Sequence, residues 1–396
     1  MLTPYLPFPP ASGGQIRTLN LLRYLSRKNE VTLISLYKNE KEKQYESYLE
    51  SFCKKIYLCK RAEKPWQLNN VFKAIFSPLP FLVVRNYSDE ARETVKSLLA
   101  NEKFDVIHAE TFYIMPHIPK TSTPILLVEQ TIEYRVYQHF VNSFPFFIRP
   151  LFYVDIIKLK FWEQYYWKKA NVVAAVSEAD QNLILSLDPS IRTVIVPNGA
   201  GDEMFAHRLH EKRFHKPILL FMGNFSWLQN VEAADYLLKR IFPLLKKVVP
   251  DAGIIIAGQQ VKRKIDDPHD PRIKLIDILP DDIETVKELY RKASLFLAPI
   301  FGPGGTRLKI LAAIASGLPV ISTKTGIQGL SLMNNKHVLL ASSPEDFVEK
   351  SRSVLKDKKL YESLRRNAYI QAKEKYSWPS ISSNLESDYR TIIKKG

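Results

Sequence analysis

The sequence is poor in cysteine, since Cys53 and Cys59 are the only two among 396 residues. Their spacing in SFCKKIYLCK matches no zinc or thiol-redox motif and offers no disulfide framework. Clusters of aspartate or histidine ligands are missing as well, so we expect no metal site. The amino terminus lacks a basic region followed by an apolar run, and no stretch of about 18 apolar residues could span a bilayer. We therefore expect a cytoplasmic protein that is neither exported nor membrane-spanning.

Acidic residues are fewer than basic ones, 41 against 57, which gives a formal net charge of +16. Such a surface attracts polyanions, which include nucleic acid, an anionic membrane face and phosphorylated substrates. The basic residues are scattered along the chain, and the sequence has no zinc finger, RNP-type motif or helix-turn-helix. We expect no nucleic-acid partner, and charge alone does not choose between the other two.

Two series of short apolar runs alternate with helical patterns. The first series begins with MLTPYL, the helix QIRTLNLLRYLSRK and VTLISLY, and continues with FDVIHA, PILLVE, NVVAAV and TVIVP. MLTPYL leaves few residues before Pro4 for a central strand, which suggests that the sequence begins inside that strand. After a polar stretch from Pro197, the second series contains PILLFMG, VEAADYLLKRIFPLLKKV as one helix, AGIIIAG, RIKLID, SLFLAPI and PVIST.

Uninterrupted apolar runs are typical of parallel strands that are covered on both faces. The predicted fold class is therefore α/β, with two Rossmann-like doubly wound parallel-sheet domains over residues 1–198 and 214–377. Ligands of such sheets bind at the carboxyl ends of strands. A cleft between the two domains follows as an expectation.

Two glycine-rich loops stand where a strand leads into a helix. Gly13 and Gly14 follow the first strand, and FGPGGTRLKIL follows SLFLAPI. Glycine lets a ligand approach the backbone, and a helix amino terminus attracts anions. An ordinary tight turn is the alternative for the first loop, and a solvated helix face is the alternative for the cations of the second. Neither loop has the P-loop or the G-x-G-x-x-G spacing, which argues against an ATPase or a dehydrogenase.

Several longer stretches match a known pattern, namely PYLPFPPASGGQIR, VVAAVSEAD, VPNGAG, GNFSWLQNVEAADYL and GGTRLKILAAIASGLPVISTKTGIQGL. Together they cover nearly the whole chain, and they resemble the retaining, nucleotide-sugar-dependent glycosyltransferases of the GT-B fold, family 4. The resemblance implies a nucleotide-sugar donor on the second domain, a glycan or lipid-linked acceptor on the first, and a terminal helix, 378–396, that packs back on the first. It implies no cofactor, because the nucleotide sugar is a substrate.

The residues that we expect at the donor combine the glycine loops with positions that match the family's motifs. They are Gly13, Gly14, Gly223, Asn224, Gly304, Gly305, Thr306, Arg307, Lys309, Leu311 and Ala312. Arg307 and Lys309 would supply positive charge to the diphosphate.

The chain departs from the family pattern at three places. Gly304 and Ala312 stand where relatives often have two glutamates, the second of which usually holds the ribose hydroxyls. Gly223, Asn224 and Gln229 occupy the segment where many relatives have an arginine and a lysine. Gln130 replaces the histidine that often begins an H-N-x-E-like stretch.

Two residues remain as catalytic candidates. His108, at the end of FDVIHA, is the remaining histidine that we expect to face the cleft, with a structural histidine as the alternative. Glu133 could orient the acceptor or the sugar, with a surface or capping carboxylate as the alternative. Two functional rivals stay open: a donor-binding protein without turnover, and a nucleotide-sugar epimerase.

The segment from Tyr137 to Lys169 interleaves aromatic residues with Arg149, Lys158, Lys160, Lys168 and Lys169. It predicts peripheral contact with an anionic membrane, on the inner face if the protein is cytoplasmic. The alternative is a helical lid packed on the first domain.

Overall fold

The computed structural model describes residues 1–64, 66–205, 216–302 and 308–394. It consists of two compact units. The first contains Met1–Pro197 and the chain from Ser382 onward, and the second is Asn198–Ile381. Each unit is built on a parallel sheet with helices around it, so the predicted α/β class with two doubly wound domains is confirmed.

The sheet of the first unit is arranged in the order β3-β2-β1-β4-β5-β6-β7 over its described strands. Leu2 of β1 lies opposite Ile34 of β2 on one side and Ala109 of β4 on the other, both in parallel. Every residue of β4, β5 and β6 is buried, as a central parallel strand requires. The strands are β1 Leu2–Thr3, β2 Thr32–Tyr37, β3 Lys55–Lys60, β4 Ile107–Glu110, β5 Ile125–Glu129, β6 Val172–Ala175 and β7 Thr193–Ile195.

Helices connect these strands and cover the sheet. Helix α1 begins after Ser12, whose Oγ accepts a hydrogen bond from Gln15 N, and its buried stripe includes Leu19, Leu22 and Leu25. The helices are α1 Gly13–Leu25, α2 Glu46–Glu50, α3 Leu68–Phe76, α4 Phe81–Asn86, α5 Asp89–Asn101, α6 Glu133–Asn142, α7 Arg149–Lys169 and α8 Glu178–Leu187, with 3₁₀ turns at Glu40–Tyr45 and Phe112–His117.

The sheet of the second unit is arranged in the order β10-β9-β8-β11-β12-β13, again with parallel pairing. Its described strands are β8 Ile218–Met222, β9 Gly253–Gly258, β10 Ile273–Asp277, β11 Leu295–Ala298, β12 Val320–Ser322 and β13 Leu339–Leu340. Its helices are α9 Asp202–Phe205, α10 Leu228–Tyr236, α11 Phe242–Val248, α12 Val261–Lys264, α13 Ile283–Lys292, α14 Leu308–Ala315, α15 Pro344–Lys356 and α16 Lys358–Lys375. Helix α17, Trp378–Ile393, begins in this unit and continues into the first.

Four details differ from the sequence-based prediction. Strand β1 contains only Leu2 and Thr3, because Pro4 has no N–H to donate to the ladder. Strand β4 ends at Glu110, one residue later than predicted. Strands β3 and β13 were not predicted. The single helix predicted over 231–248 is interrupted by a π-helical turn, Leu237–Ile241, just before Pro243, whose ring and missing N–H disrupt regular helix.

None of the helices in the described part of the chain combines the length and the apolar character needed to cross a bilayer.

Candidate functional site

In the second unit the order of strands reverses between β8 and β11, which is where ligands of doubly wound sheets bind. Gly223 follows β8 at this point. A Cβ atom on Gly223 would lie 2.9 Å from the side-chain amide of Asn230 and 3.1 Å from Lys309 Nζ. The missing side chain therefore makes room for the Lys309 amine beside the strand end.

Gly258, the last residue of β9, brings the backbone close to Gly223. Its φ is +140°, and a Cβ atom there would lie 1.8 Å from Gly223 O. Gly223 N donates a hydrogen bond to Ala257 O at 3.0 Å. Only glycine fits position 258, and this contact fixes the carboxyl ends of β8 and β9 against each other.

Lys309 reaches this point from the first turn of α14. Its Nζ donates a hydrogen bond to Asn230 Oδ1 and lies 4.9 Å from the centre of the Phe221 ring. Tyr290 Oη donates to Lys309 O at 3.2 Å, which ties the start of the helix to α13. The amine is therefore held by a cation–π contact and a hydrogen bond, as a fixed positive charge requires.

Asn224 forms a turn. Its Oδ1 accepts a hydrogen bond from Ser226 N at 2.9 Å, its Nδ2 donates to Gln259 Oε1 at 2.8 Å, and its carbonyl accepts from Asn230 Nδ2. The amide thus shapes the loop after β8. The Asn224 NH2 group has two N–H bonds, so a phosphate contact would use the one that does not donate to Gln259, and this contact stays a prediction.

Two further donor candidates lie on α14. The Leu311 side chain is fully buried in the core of the second unit, so only its backbone could approach a donor. Ala312 is partly buried and packs at the edge of the same core. Gly304, Gly305, Thr306 and Arg307 lie outside the described residues, and their assignment to the donor stays a prediction.

In the first unit the order of strands reverses between β1 and β4, and the residue at the end of β4 is Glu110. Its buried carboxylate accepts hydrogen bonds from His108 Nε2 at 2.9 Å and from Gln130 Nε2 at 2.6 Å. Arg17 Nε lies 3.9 Å from the same carboxylate. Burial opposes ionisation, but His108, Arg17 and Gln130 together hold the pKa of Glu110 below its usual value.

His108 lies inside β4 rather than at its end, and it is buried. Its Nε2 faces Glu110, and its Nδ1 forms a hydrogen bond with Tyr389 Oη. Burial lowers the pKa of His108, so the neutral ring donates from Nε2 and accepts at Nδ1. Both ring nitrogens are thus engaged within the first unit, and the catalytic role expected for His108 stays a prediction.

Gln130, which stands where the resemblance implies a histidine, connects Glu110 to the loop after β1. Its Nε2 also donates to Tyr5 Oη at 2.8 Å. A Cβ atom on Gly14 would lie 2.1 Å from Tyr5 Oη and 2.4 Å from Gln130 Oε1. The amino terminus of α1, where Gly13 is exposed and Gly14 is half-buried, therefore packs directly against these two polar groups.

Arg17 joins α1 to the chain segment that follows β7. Its Nη1 donates hydrogen bonds to Val196 O and Pro197 O, both at 3.0 Å. The side chain is completely buried, so its charge is offset by Glu110 and by these carbonyl groups.

Glu133, the other catalytic candidate, is the first residue of α6. Its Oε1 accepts a hydrogen bond from Thr131 Oγ1 at 3.0 Å, and its backbone N–H donates to Glu163 Oε1 at 2.8 Å. Burial raises the pKa of the Glu133 carboxyl. The structure thus places Glu133 near the strand end that Gln130 follows, and its catalytic role stays a prediction.

Two family models match the chain. "Glycosyltransferase Family 4" matches residues 11–203, and "Glycosyl transferases group 1" matches residues 216–357. The chain belongs to the glycosyltransferases. The two matches correspond to the two sheets, one for each unit.

Several known proteins are similar to this glycosyltransferase over nearly its whole length. An uncharacterised 44.6 kDa protein in the cps region of Klebsiella pneumoniae is 24% identical over 96% of each chain. Among solved structures, sucrose-phosphate synthase from Thermosynechococcus elongatus has a TM-score of 0.72 at 13% identity and covers 100% of this chain and 99% of its own. HepE from Anabaena, in complex with UDP, has a TM-score of 0.67 at 12% identity and covers 98% and 99%. At these identities the solved structures show the fold, GT-B.

Sequence reasoning missed several residues that this glycosyltransferase brings together at the two strand-order reversals. In the first unit these are Tyr5, Arg17 and Glu110, and in the second they are Asn230 and Gly258. The signal for Glu110 was present, because it follows an apolar run directly and strand ends carry the ligands of such sheets. Arg17 is part of SGGQIR, but nothing in a helical pattern reveals which polar residue turns inward.

Proposed function

We propose that the protein transfers a sugar from a nucleoside-diphosphate sugar to a hydroxyl group of a glycan or lipid-linked acceptor, with retention of the anomeric configuration. In this proposal the second unit binds the donor and the first unit binds the acceptor. The observation that carries the proposal is the Lys309 amine, held over Phe221 beside Gly223 at the reversal of strand order.

The donor assignment is supported by the chemistry of that amine. A cation held at a strand end offsets the charge of a diphosphate, and Gly223 leaves the backbone open to it. HepE was solved in complex with UDP and, in a second structure, in complex with UDP-glucose. Both ligands are consistent with a nucleoside-diphosphate sugar as the donor of this chain.

The reaction breaks the bond between the anomeric carbon and the diphosphate oxygen, so negative charge grows on the leaving group. A positive charge that is already fixed in place stabilises this charge without reorganisation. Lys309 provides such a charge, and Arg307 is proposed to add a second. Catalysis in this scheme is mainly positioning and charge stabilisation.

The acceptor assignment is supported by two polar side chains of the first unit, while Gly13 and Gly14 stay proposed for the donor. Tyr5 and Gln130 are half-buried, and both can exchange hydrogen bonds with sugar hydroxyls. Burial and the nearby Glu110 raise the pKa of Tyr5, so it stays a neutral hydroxyl at physiological pH. In this proposal Glu110 and His108 hold Gln130 and Tyr5 in place, and Glu133 lies on the adjoining helix.

A reducing compartment is supported by the two cysteines. Cys53 and Cys59 are both free and buried, and burial raises the pKa of each thiol to about 11. Free thiols without a disulfide are typical of proteins that work in a reducing compartment. We propose a cytoplasmic location on this ground.

A panel of nucleoside-diphosphate sugars tests the proposal. Release of free sugar or transfer to an added acceptor supports it, and NMR of the anomeric proton reports the stereochemistry. Binding without turnover would instead identify a donor-binding protein. Isomerised donor would identify an epimerase.

A further inference from the structure

Helix α7 exposes an apolar stripe that nothing in the described part of the first unit covers. Leu151, Val154, Ile157, Phe161 and Tyr165 recur every three or four residues and are all exposed. The opposite face of α7 is buried in the unit, with Leu159 and Trp167 in its core. The packed lid and the exposed surface expected from the sequence are therefore two faces of one helix.

Helix α3 extends this surface from a distant part of the sequence. Leu68, Phe72, Ile75 and Phe76 are exposed on it, and Phe76 is 83% accessible. The preceding Trp66 is also exposed and stacks on Phe81 at 4.7 Å between ring centres.

Hydrogen bonds join the two helices. Lys158 Nζ donates to Ala74 O and Ser77 O, each at 2.8 Å, and Trp162 Nε1 donates to Pro78 O at 2.8 Å. The last turn of α3 thus lies against the middle of α7, next to Ile157 and Phe161. We call the exposed side chains of α3 and α7, with Trp66 and with Phe146 and Phe147 of the α6–α7 loop, the aromatic surface.

The charges around the aromatic surface are almost all positive. Residues 66–76 and 146–165, which form the aromatic surface, contain four lysines or arginines and two carboxylates, Asp155 and Glu163. Both carboxylates point into the unit: Asp155 accepts a hydrogen bond from Phe81 N at 2.8 Å, and the buried Glu163 accepts one from Glu133 N at 2.8 Å. Lys73 and Lys160 are exposed, and Lys160 Nζ lies 5.5 Å from the Tyr134 ring centre.

We propose that the aromatic surface docks the protein on an anionic lipid bilayer, with the apolar side chains of α3 and α7 entering the interface and the lysines contacting lipid phosphates. The positive charge favours an anionic bilayer over a second copy of the chain as the partner of this surface. A second copy of the chain would bring two cationic rims together, because a two-fold interface apposes the same patch on both subunits. Protruding aromatic rings with cations beside them suit the interfacial region of a bilayer. The proposal does not depend on glycosyl transfer.

Flotation with vesicles is the test, using equimolar phosphatidylglycerol and phosphatidylcholine against phosphatidylcholine alone. We expect binding to the anionic vesicles that weakens as sodium chloride rises. Phe76→Ser on α3 and Phe161→Ser on α7 should each lower the partition coefficient about tenfold, since each removes a ring that would be buried in lipid. Leu279→Ser, at an equally exposed apolar position of the second unit, is the matched control and should bind as wild type.

A second pair of variants separates charge from apolar contact. Lys73→Gln combined with Lys160→Gln should weaken binding at low salt and reduce its salt dependence, whereas Lys356→Gln, exposed on α15, should not. Quenching of tryptophan fluorescence by brominated lipid should fall in Trp66→Phe. Donor hydrolysis in solution, without vesicles, should be unchanged in all these variants, which keeps this test separate from that of the proposed function.

Three results would overturn the proposal: equal binding to neutral and anionic vesicles, wild-type partitioning of both Phe76→Ser and Phe161→Ser, or a lipid-free dimer that these substitutions dissociate. The last result would reassign the aromatic surface to a protein interface.

Discussion

Glu110 and Gln130, at the ends of neighbouring strands, are joined by a hydrogen bond of 2.6 Å between Oε2 and Nε2. The same carboxylate is shared with His108, and Arg17 lies beside it. Because this group is buried, its removal leaves polar partners without an acceptor. The Glu110 carboxylate should therefore stabilise the first unit.

We expect Glu110→Gln to destabilise the first unit by about 1.5–3 kcal/mol, the range for hydrogen bonds to charged groups. The difference in unfolding free energy between the variant and wild type should be largest near neutral pH and should shrink on acidification. The pKa of Glu110 is lowered in the folded state, so its carboxylate loses its stabilising effect as pH falls through that pKa. Hydrogen exchange of α1 and β4 peptides in urea measures this difference. Glu93→Gln, a surface residue paired with Lys96, is the control and should change little. Equal stability of Glu110→Gln and wild type would contradict the network.

Glu129 should show the opposite pH dependence. It is buried, with Glu163 nearby, and its Oε1 accepts from Trp167 Nε1 at 2.8 Å. Burial and the charge of Glu163 raise its pKa well above the usual value. The folded state therefore holds the proton more tightly than the unfolded state, and stability falls as pH rises from the unfolded pKa towards the folded one.

Glu129→Gln removes this titration. Its stability relative to wild type should rise with pH above about 4.5, by at most about 1.4 kcal/mol per pH unit. Urea unfolding of both proteins across roughly pH 4 to 7 checks the slope. Parallel curves would show that Glu129 ionises normally in the folded state.

Gly258→Ala should disrupt the donor site. At φ +140° an alanine is strained, and its Cβ would overlap Gly223 O. We expect the backbone strain to cost the second unit about 1–3 kcal/mol of stability, the overlap to add to this loss, and nucleotide binding to weaken. Gly253→Ala, at the start of the same strand, is the control, because its φ is not positive and a Cβ there would approach Arg272 O only to 3.3 Å, against 1.8 Å at position 258. If both variants are equally stable, the close approach of β9 to Gly223 is not needed.

Ala312 offers a gain of function. If it faces the donor ribose, Ala312→Glu should tighten binding by roughly 1–2 kcal/mol through new hydrogen bonds to the hydroxyls. A ribose contact strengthens the nucleoside and the nucleoside diphosphate alike, so calorimetry should compare both ligands. Weaker binding of both, in a variant that folds, would mean that position 312 does not face the ribose.

The fold could be predicted from the sequence because buried parallel strands are continuous apolar runs. Strand β3 was missed because it lies at the edge of the sheet and has lysines at both ends, which hide its pattern. The break in the predicted helix before Pro243 was also missed, because a single proline can either interrupt a helix or be accommodated in it.

The candidate site was less accessible to sequence reasoning. Motifs identified Gly223 and Lys309, which the structure brings together, but Leu311 turns into the core and His108 into a buried network. Which polar side chain faces inward depends on helix rotation and strand ends, and these are fixed by packing. Asn230 could therefore be recognised only in three dimensions, whereas Glu110 directly follows an apolar run and its position at a strand end could be predicted.

The central claim is that Lys309 binds the donor diphosphate. Calorimetric titration of wild type, Lys309→Gln and the control Lys356→Gln with the best nucleoside diphosphate of the panel, and with the corresponding nucleoside, tests it most directly. We predict that Lys309→Gln weakens diphosphate binding by about 1.5–3 kcal/mol, roughly 10- to 100-fold, and leaves nucleoside binding unchanged. Unchanged diphosphate affinity in folded Lys309→Gln would contradict the account.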